Sequence, residues 1–326
     1  MSAGPVAVLI TGMGSTTAIS VAKALRQQME LPVRLIGTDI HQGWEIAGST
    51  FCDRFHQVPT ADDPEYLSTV LGICEQEEIR VLFPIIDAEL EVVARGEPRF
   101  RERGVLPWIA RPETVAACND KYRTYEFLER NGFPTPRTWL PEQLAGQQDH
   151  PGFPLIVKPV DGVSSRDVFY VENELELSAA LRKVRSPVVQ EYLRGIEYTV
   201  DVVTDQESRV LAVVPRERMQ VKAGLSYKAR TVRQPRLTEL AGEIARRLEM
   251  RGHCNIQCRI DGEQIRFFEI NPRFSGTLPL TVAAGVNSPL ILLKLALGIP
   301  LERDYFDFEP GVFMARYWEE AFSRPV

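Results

Sequence analysis

The sequence predicts a parallel α/β unit followed by an α+β remainder. Three observations carry that expectation. Apolar runs and helical patterns alternate up to about residue 111. From residue 112 short strands follow one another, and helices no longer separate each pair. The segment HCNIQCRIDGEQIRFFEINPRFSG, residues 253–276, reads as a hairpin with turn chemistry at Asp261-Gly262.

Taken in order, Val6–Thr11 is a buried strand, Thr16–Gln28 a helix and Val33–Asp39 a second strand. A helix over Asp63–Glu77 leads into a strand at Arg80–Pro84. This βαβ grammar places ligands at the strand C-termini. Beyond it, a helix over Asp120–Arg130 stops at Asn131-Gly132, a helix-stop pair. Strands LIVKP (155–159), VFYV (168–171) and VVQEYL (188–193) surround a helix from Asn173 to Val184. A strand-rich stretch over 197–233 and a helix over Leu237–Met250 precede the hairpin.

A length of 326 residues allows two or three packed units. A net charge of −6 without a long basic run argues against nucleic acid as a partner. No apolar stretch approaches a membrane span, so no membrane partner is expected. The start MSAGPVAVLITG lacks a charged n-region and a cleavage site, which leads to a cytoplasmic expectation. Five scattered cysteines fit reduced thiols.

The stretch LITGMGSTTA, residues 9–18, holds Gly12-x-Gly14 between a strand and a helix. Asp39, ending the next strand, stands about where a dinucleotide fold puts its ribose-binding acid. The third small position is vague, at Thr17 or Ala18, so the fingerprint is incomplete. Glycines that simply pack a helix close to a strand explain the turn as well. The helix N-terminus, with Ser15, Thr16 and Thr17, suits an anion.

Two hairpin registers are distinguishable by their faces. With Ile260 opposite Glu263 polar and apolar residues mix. With a three-residue loop Ile260 faces Gln264, Gln257 faces Phe267 and Glu269 faces Asn255. One face then collects Asn255, Gln257, Arg259, Glu269 and Asn271, the other Cys254, Ile256, Cys258, Ile260, Phe268 and Ile270. The clean separation favours the longer loop. A row of carboxylate and amide oxygens needs water or a ligand, and Mg²⁺ takes such hard oxygens while leaving positions for phosphates. Glu269 is the candidate charged ligand and Asn271 a neutral one, with Arg273 able to hold a phosphate or carboxylate bidentately. A solvated hairpin face is the plainer alternative. Cys254 and Cys258 fall on the apolar face, which points to core thiols rather than zinc.

With these residues the sequence resembles the ATP-grasp superfamily, most nearly the carboxylate–amine ligase branch that includes carbamoyl phosphate synthetase large chains. The resemblance implies a Rossmann-like pre-ATP-grasp domain (1–111), an N-terminal grasp lobe with a lid loop (112–190) and a C-terminal lobe with the Mg-binding hairpin (191–326). Lys121 in NDKYRTYEFLERNG and Lys158 in PLIVKP match the two nucleotide lysines. DGVSSRDVFYV, 161–171, matches the glycine-rich lid, with Ser164, Ser165 and Arg166 as phosphate donors and Asp167 where a glycine is usual. Gln190, Glu191, Tyr192 and Leu193 line the base in this reading, partly through the backbone of Glu191 and Leu193. Glu197 matches the ribose acid, and Gln257 stands where many families carry another metal-binding acid.

The resemblance implies ATP with Mg²⁺ or Mn²⁺ as cofactors, and small carboxylate and amine substrates. A carboxylate attacks the γ-phosphate, and an amine captures the acylphosphate, giving ADP and phosphate. Lys158, Arg273 and Arg230 carry the chemistry in this reading; Arg230 matches a family position within PRERMQVKAGLSYKAR. That basic stretch, with Arg216, Arg218 and Lys222, is either a solvated loop or an anion clamp. The acceptor site is expected between the grasp and the first domain, at Gly14, Ser15, Asp87, Glu89, Arg230, Arg273, Ser275 and Gly276. A homodimer is compatible with the chain's size. The alternatives are an acylphosphate-forming kinase, a non-catalytic nucleotide-binding subunit and a nicotinamide-dependent enzyme.

Overall fold

A computed structural model describes residues 4–144, 152–162, 166–222 and 224–325. Ser164 and Ser165, expected in the lid, lie outside the described residues.

The first unit contains β1 (Val6–Ile10), α1 (Thr16–Gln27), β2 (Val33–Asp39), β3 (Arg54–Gln57), α2 (Tyr66–Gln76), β4 (Val81–Phe83), α3 (Asp87–Arg101) and β5 (Leu106–Pro107). Its strands form one parallel sheet in the order β3-β2-β1-β4-β5. Ala7, Leu9, Ile36 and Leu82 face α2 and α3, whereas Val8, Ile10, Leu35, Val81 and Phe83 face α1. A sheet covered on both faces explains why its strands are apolar throughout. Gly12 has φ +61°, and a Cβ there would fall 2.3 Å from Ile86 Cγ1, so only glycine fits this turn. Ser15 then caps α1, accepting the Ala18 N–H at 3.1 Å.

Next come α4 (Pro112–Asn119), α5 (Lys121–Arg130), β6 (Thr138–Trp139), α6 (Pro141–Leu144), β7 (Leu155–Pro159), β8 (Phe169–Val171), α7 (Glu174–Lys183) and β9 (Pro187–Glu191). Their antiparallel sheet runs β6-β9-β7-β8. It has a core of its own, in which Leu155, Val157, Val171 and Val189 meet Leu177 and Ala180 of α7.

The last unit contains β10 (Ile196–Thr204), β11 (Val210–Lys222), β12 (Leu225–Thr231), α8 (Pro235–Arg247), β13 (Gly252–Asp261), β14 (Gln264–Asn271), α9 (Leu278–Ala283), α10 (Ser288–Ala296) and β15 (Phe313–Ala315). Its sheet runs β14-β13-β10-β11-β12-β15. Tyr198, Val200, Cys254, Ile256, Phe267 and α8 join the core beneath α2 and α3, together with Val115, Cys118 and Leu128 of α4 and α5. On the far side of the parallel sheet, Leu278, Ile291 and Leu292 join the α1 core, and Trp108 Nε1 donates to Leu292 O at 2.9 Å. Among the described residues no helix is long and apolar enough to cross a membrane.

The hairpin register differs from both that were weighed. Asp261 pairs with Gln264 and Ile260 with Ile265, so the loop is Gly262-Glu263. Phe268 is then inserted as a bulge, after which Glu269 lies opposite Gln257 and Asn271 opposite Asn255. The bulge resolves a conflict that strict alternation cannot. Phe267 enters the core, fully buried, and Phe268 turns to the opposite, polar face instead of the apolar face assigned to it. Cys254 and Cys258 lie in the core, where burial pushes both thiols up.

Candidate functional site

A cleft of about 470 Å³ lies between the four-stranded and six-stranded sheets. Alternation along β7 sends Leu155 and Val157 into the small core and leaves Lys158 on the cleft face. Lys158 is nevertheless buried: its Nζ donates to Gln190 Oε1 at 2.8 Å and sits 5.7 Å from the Phe268 ring centre. Gln190 is in turn fixed by donating Nε2 to Thr138 Oγ1 at 2.8 Å. Burial lowers the Lys158 pKa to about 8, against the carboxylate of Glu269, which favours the ammonium. Lys121 opens α5, whose N-cap Asp120 accepts the Tyr122 and Arg123 N–H groups, and its Nζ donates to Gly162 O.

Gln190, Glu191, Tyr192 and Leu193 all line the cleft. The Glu191 side chain pairs with Arg266 at 2.7 Å, and its N–H donates to Arg137 O. Arg259 Nη1 donates to Leu193 O at 3.2 Å, and Tyr192 meets Tyr170 edge-on. Glu197 is held by two arginines, with Arg218 Nη1 at 2.6 Å from one oxygen and Arg259 Nη2 at 3.1 Å from the other.

Glu269, Asn271 and Gln257 stand together on the hairpin's cleft face. Glu269 Oε1 accepts from Asn271 Nδ2 at 3.0 Å and from Gln257 Nε2 at 3.3 Å. Among the described residues no three or more His, Cys, Asp or Glu side chains group as metal ligands. A half-turn of each amide would present oxygens beside the carboxylate. One carboxylate with two amide oxygens fits Mg²⁺, which keeps several ligand positions for water and phosphate. Arg273 follows on the same side. Its Nε and Nη2 each donate to Asp87 at 2.7 Å, joining the first turn of α3 to the end of the hairpin. Asp87 holds the partly buried guanidinium charged, against the desolvation that opposes it.

Ser275 and Gly276 line the end of the cleft, above a fully buried pair, Arg216 and Asp201. Asp201 also accepts from Thr281 Oγ1 at 2.6 Å and Ser275 Oγ at 3.2 Å. Arg216 is therefore neither a solvated loop residue nor a surface clamp.

Several expected site residues stand elsewhere. Arg230 lies on the other face of β12, half-exposed, with Nε and Nη2 on Glu217 Oε2 at 2.9 and 2.8 Å. The register pairs Glu217 with Arg230 and Arg218 with Ala229, so alternation turns Arg218 inward and Arg230 away. Glu89 is buried within the first unit, accepting from Thr11 Oγ1, Tyr66 Oη and the Ile85 and Ile86 N–H groups. Burial raises its pKa. Asp87 and Glu89 stand in the first turn of α3, and their spacing of two residues points them to different sides of the helix. Gly14 and Ser15 line a separate cavity of the first unit. The Gly14 N–H donates to Asp39 Oδ2 at 2.7 Å, so this amide is already given to a carboxylate.

Arg218, which the sequence offers as part of either a solvated loop or an anion clamp, lines the cleft, as do Arg259 and Phe268, which are not among the expected site residues. Arg259 carried a usable signal, since it alternates with Asn255 and Gln257 on the polar face. Phe268 carried none, because the bulge that turns it depends on its partner strand.

The chain is similar to several known proteins. Residues 183–317 match the family described as ATP-grasp in the biosynthetic pathway with Ter operon, and residues 8–108 match the PylC-like N-terminal domain. The chain is 28% identical over 252 residues to a carbamoyl phosphate synthase arginine-specific large chain of Geobacillus stearothermophilus. That match covers 72% of this chain but 24% of the relative, so the chain spans about a quarter of its length. Its fold is similar to that of a biotin carboxylase from Campylobacter jejuni, with a TM-score of 0.75 at 16% identity, covering 93% of this chain and 73% of the other. It is also similar to the L-amino acid ligase from Bacillus licheniformis, with a TM-score of 0.71 at 19% identity, covering 95% and 78%.

Proposed function

Because the chain belongs to the ATP-grasp superfamily, we propose that it is an ATP-dependent carboxylate–amine ligase working through an acylphosphate and releasing ADP and phosphate. The observation that carries this reading is the make-up of one cleft. A buried ammonium, Lys158, faces a lone carboxylate flanked by two amides, and Arg273 stands at the edge next to the first unit. Phosphoryl transfer asks a protein mainly for positioning and charge neutralisation, and these are groups that supply both.

In this reading residues 112–190 and 191–326 clamp the nucleotide, and residues 1–111 border the acceptor site. Glu269, Asn271 and Gln257 would hold Mg²⁺, which when bound neutralises phosphate charge. Lys121 and Lys158 attract phosphate oxygens. Gln190 keeps the Lys158 amine oriented, and the low pKa of that amine leaves it partly free to shed a proton near neutral pH. Arg273 holds the acceptor carboxylate or the transferring group once Asp87 shares it. Small-molecule acids and amines are the expected substrates, and a homodimer is the expected assembly.

An ADP-release screen with ATP, Mg²⁺ and a panel of amino acids and small carboxylates tests the proposal. Turnover should require both an acid and an amine. Glu269→Gln should lower it by more than the roughly 10–100-fold typical of losing an outer-shell metal partner. Undiminished turnover in that variant sinks the metal assignment, and ADP release without an amine sinks the ligase reading.

A further inference from the structure

Arg218 enters the cleft from β11, and both of its guanidinium ends are held. Nη1 donates to Glu197 Oε1 at 2.6 Å and Nη2 to Gly224 O at 2.7 Å, and the side chain is only 7% exposed. Nη1 also donates to Gln257 Oε1 at 3.3 Å, reaching across β10 to β13. That last contact bears on the metal position, because Gln257 is one of the two amides beside Glu269.

A guanidinium can only donate hydrogen bonds, and an ionised carboxylate can only accept them. Gln257 stands between one of each. Arg218 lies on its oxygen side, and its Nε2 donates to Glu269 Oε1 at 3.3 Å. Both neighbours therefore demand the same amide orientation, with the oxygen toward Arg218 and the NH₂ toward Glu269. A half-turn that brings the oxygen beside Glu269 sets N–H groups against a guanidinium that cannot accept. Arg218 cannot simply step aside, since Glu197 and Gly224 O fix it. Asn271 is less constrained. Its Oδ1 faces Arg273 Nη2 at a longer 3.5 Å, and Arg273 is already committed to Asp87 through two bonds.

We propose that Arg218 is a positioning residue that keeps the Gln257 oxygen turned away from the metal position in the nucleotide-free protein, and so lowers the affinity of the free chain for a divalent cation. Gln257 completes the ligand set only when its contact with Arg218 is given up. The inference rests on the reading of Glu269 as the metal's carboxylate ligand.

Mn²⁺, which takes the same oxygen ligands as Mg²⁺, is titrated into the full chain without nucleotide and followed by electron paramagnetic resonance. Arg218→Gln replaces the guanidinium by an amide that accepts as well as donates, so Gln257 can turn. That variant should bind Mn²⁺ about tenfold more tightly, the lower end of what an outer-shell partner contributes. Loss of a nearby positive charge would also tighten binding, so the same substitution is made in a Gln257→Ala background. There the gain should fall to about twofold or less, because Arg218 acts through the amide. Gln257→Ala alone should not weaken Mn²⁺ binding to the free chain, and this variant decides the matter even if Arg218→Gln does not fold. Weaker binding in Gln257→Ala, no gain in a folded Arg218→Gln, or an equal gain in both backgrounds overturns the proposal. Glu269→Gln, added to each chain, should abolish the binding. Binding that survives it sinks the metal assignment itself, whereas binding that depends on Glu269 but is indifferent to Arg218 sinks only the role given to Arg218.

Discussion

The Lys158 ammonium is buried beside Gln190 and the Phe268 ring, and burial lowers its pKa from 10.5 to about 8. Between those values the folded state binds fewer protons than the unfolded chain, so stability rises with pH through that window. The cost of the buried charge is fully present below about pH 8. Lys158→Met should therefore stabilise the nucleotide-free protein at neutral pH, by up to about 3 kcal/mol less the loss of the Gln190 partner. The same variant should bind ATP more weakly, and wild-type affinity should fall as pH rises past about 8. Thermal melts and nucleotide titrations from roughly pH 6 to 10 check both signs. A lower melting temperature with unchanged affinity would contradict the assignment. Lys158 was legible because an apolar strand is an unusual host for a charge. Arg230, in a run of similar charges, was not, since composition does not say which sheet face a strand residue takes.

At the scale of elements, β10 does two jobs with alternate residues. Tyr198, Val200 and Val202 build the core, while Glu197 and Thr199 line the cleft and Asp201 pairs with Arg216 beneath it. Burial alone would push the Asp201 carboxyl up, but Arg216 and His253 overcome that and hold it well below the ordinary range. Its contribution is fully present above about pH 4 and is lost as pH falls toward the depressed value. Asp201→Asn should cost about 3–5 kcal/mol at neutral pH, because it leaves Arg216 charged and buried without its partner. Urea denaturation should show the gap from wild type narrowing as the solution is acidified; a gap independent of pH would refute the ion-pair account. The alternation of acids on β10 was visible in the sequence. Its consequence was not, because the depth of Asp201 is set by Ser275 and Thr281, which reach it from the segment after β14.

Across the whole molecule, the parallel sheet and the six-stranded sheet share one continuous core, and α1 shares another with α9 and α10. The four-stranded sheet keeps a small core of its own, closed by α7. Local opening should follow this division. Amides of β7 and β9 should exchange with deuterium at lower opening free energy than those of β1 and β10, and ADP should slow them selectively. Uniform protection across the three sheets would argue against a separately opening lobe.

Five elements of the first unit, β1, α1, β2, α2 and β4, follow from sequence alone, as do the residue types that face the cleft, because periodicity, caps and turn residues act over a few positions; β3, α3 and β5 were not read from it. LIVKP and the acids and amides of the hairpin belong to that class. Only the tertiary structure decided how these pieces are aimed. Arg273 meets Asp87 across 186 positions of chain, the Phe268 bulge is set by β13, and Glu89 turns into the first unit two residues after Asp87 reaches Arg273. The Gly12-x-Gly14 turn looked ready for an anion, yet Asp39 and Thr38 of the neighbouring strand already take two of its amides. Such outcomes depend on partners distant in sequence, whose positions exist only once the sheets have packed.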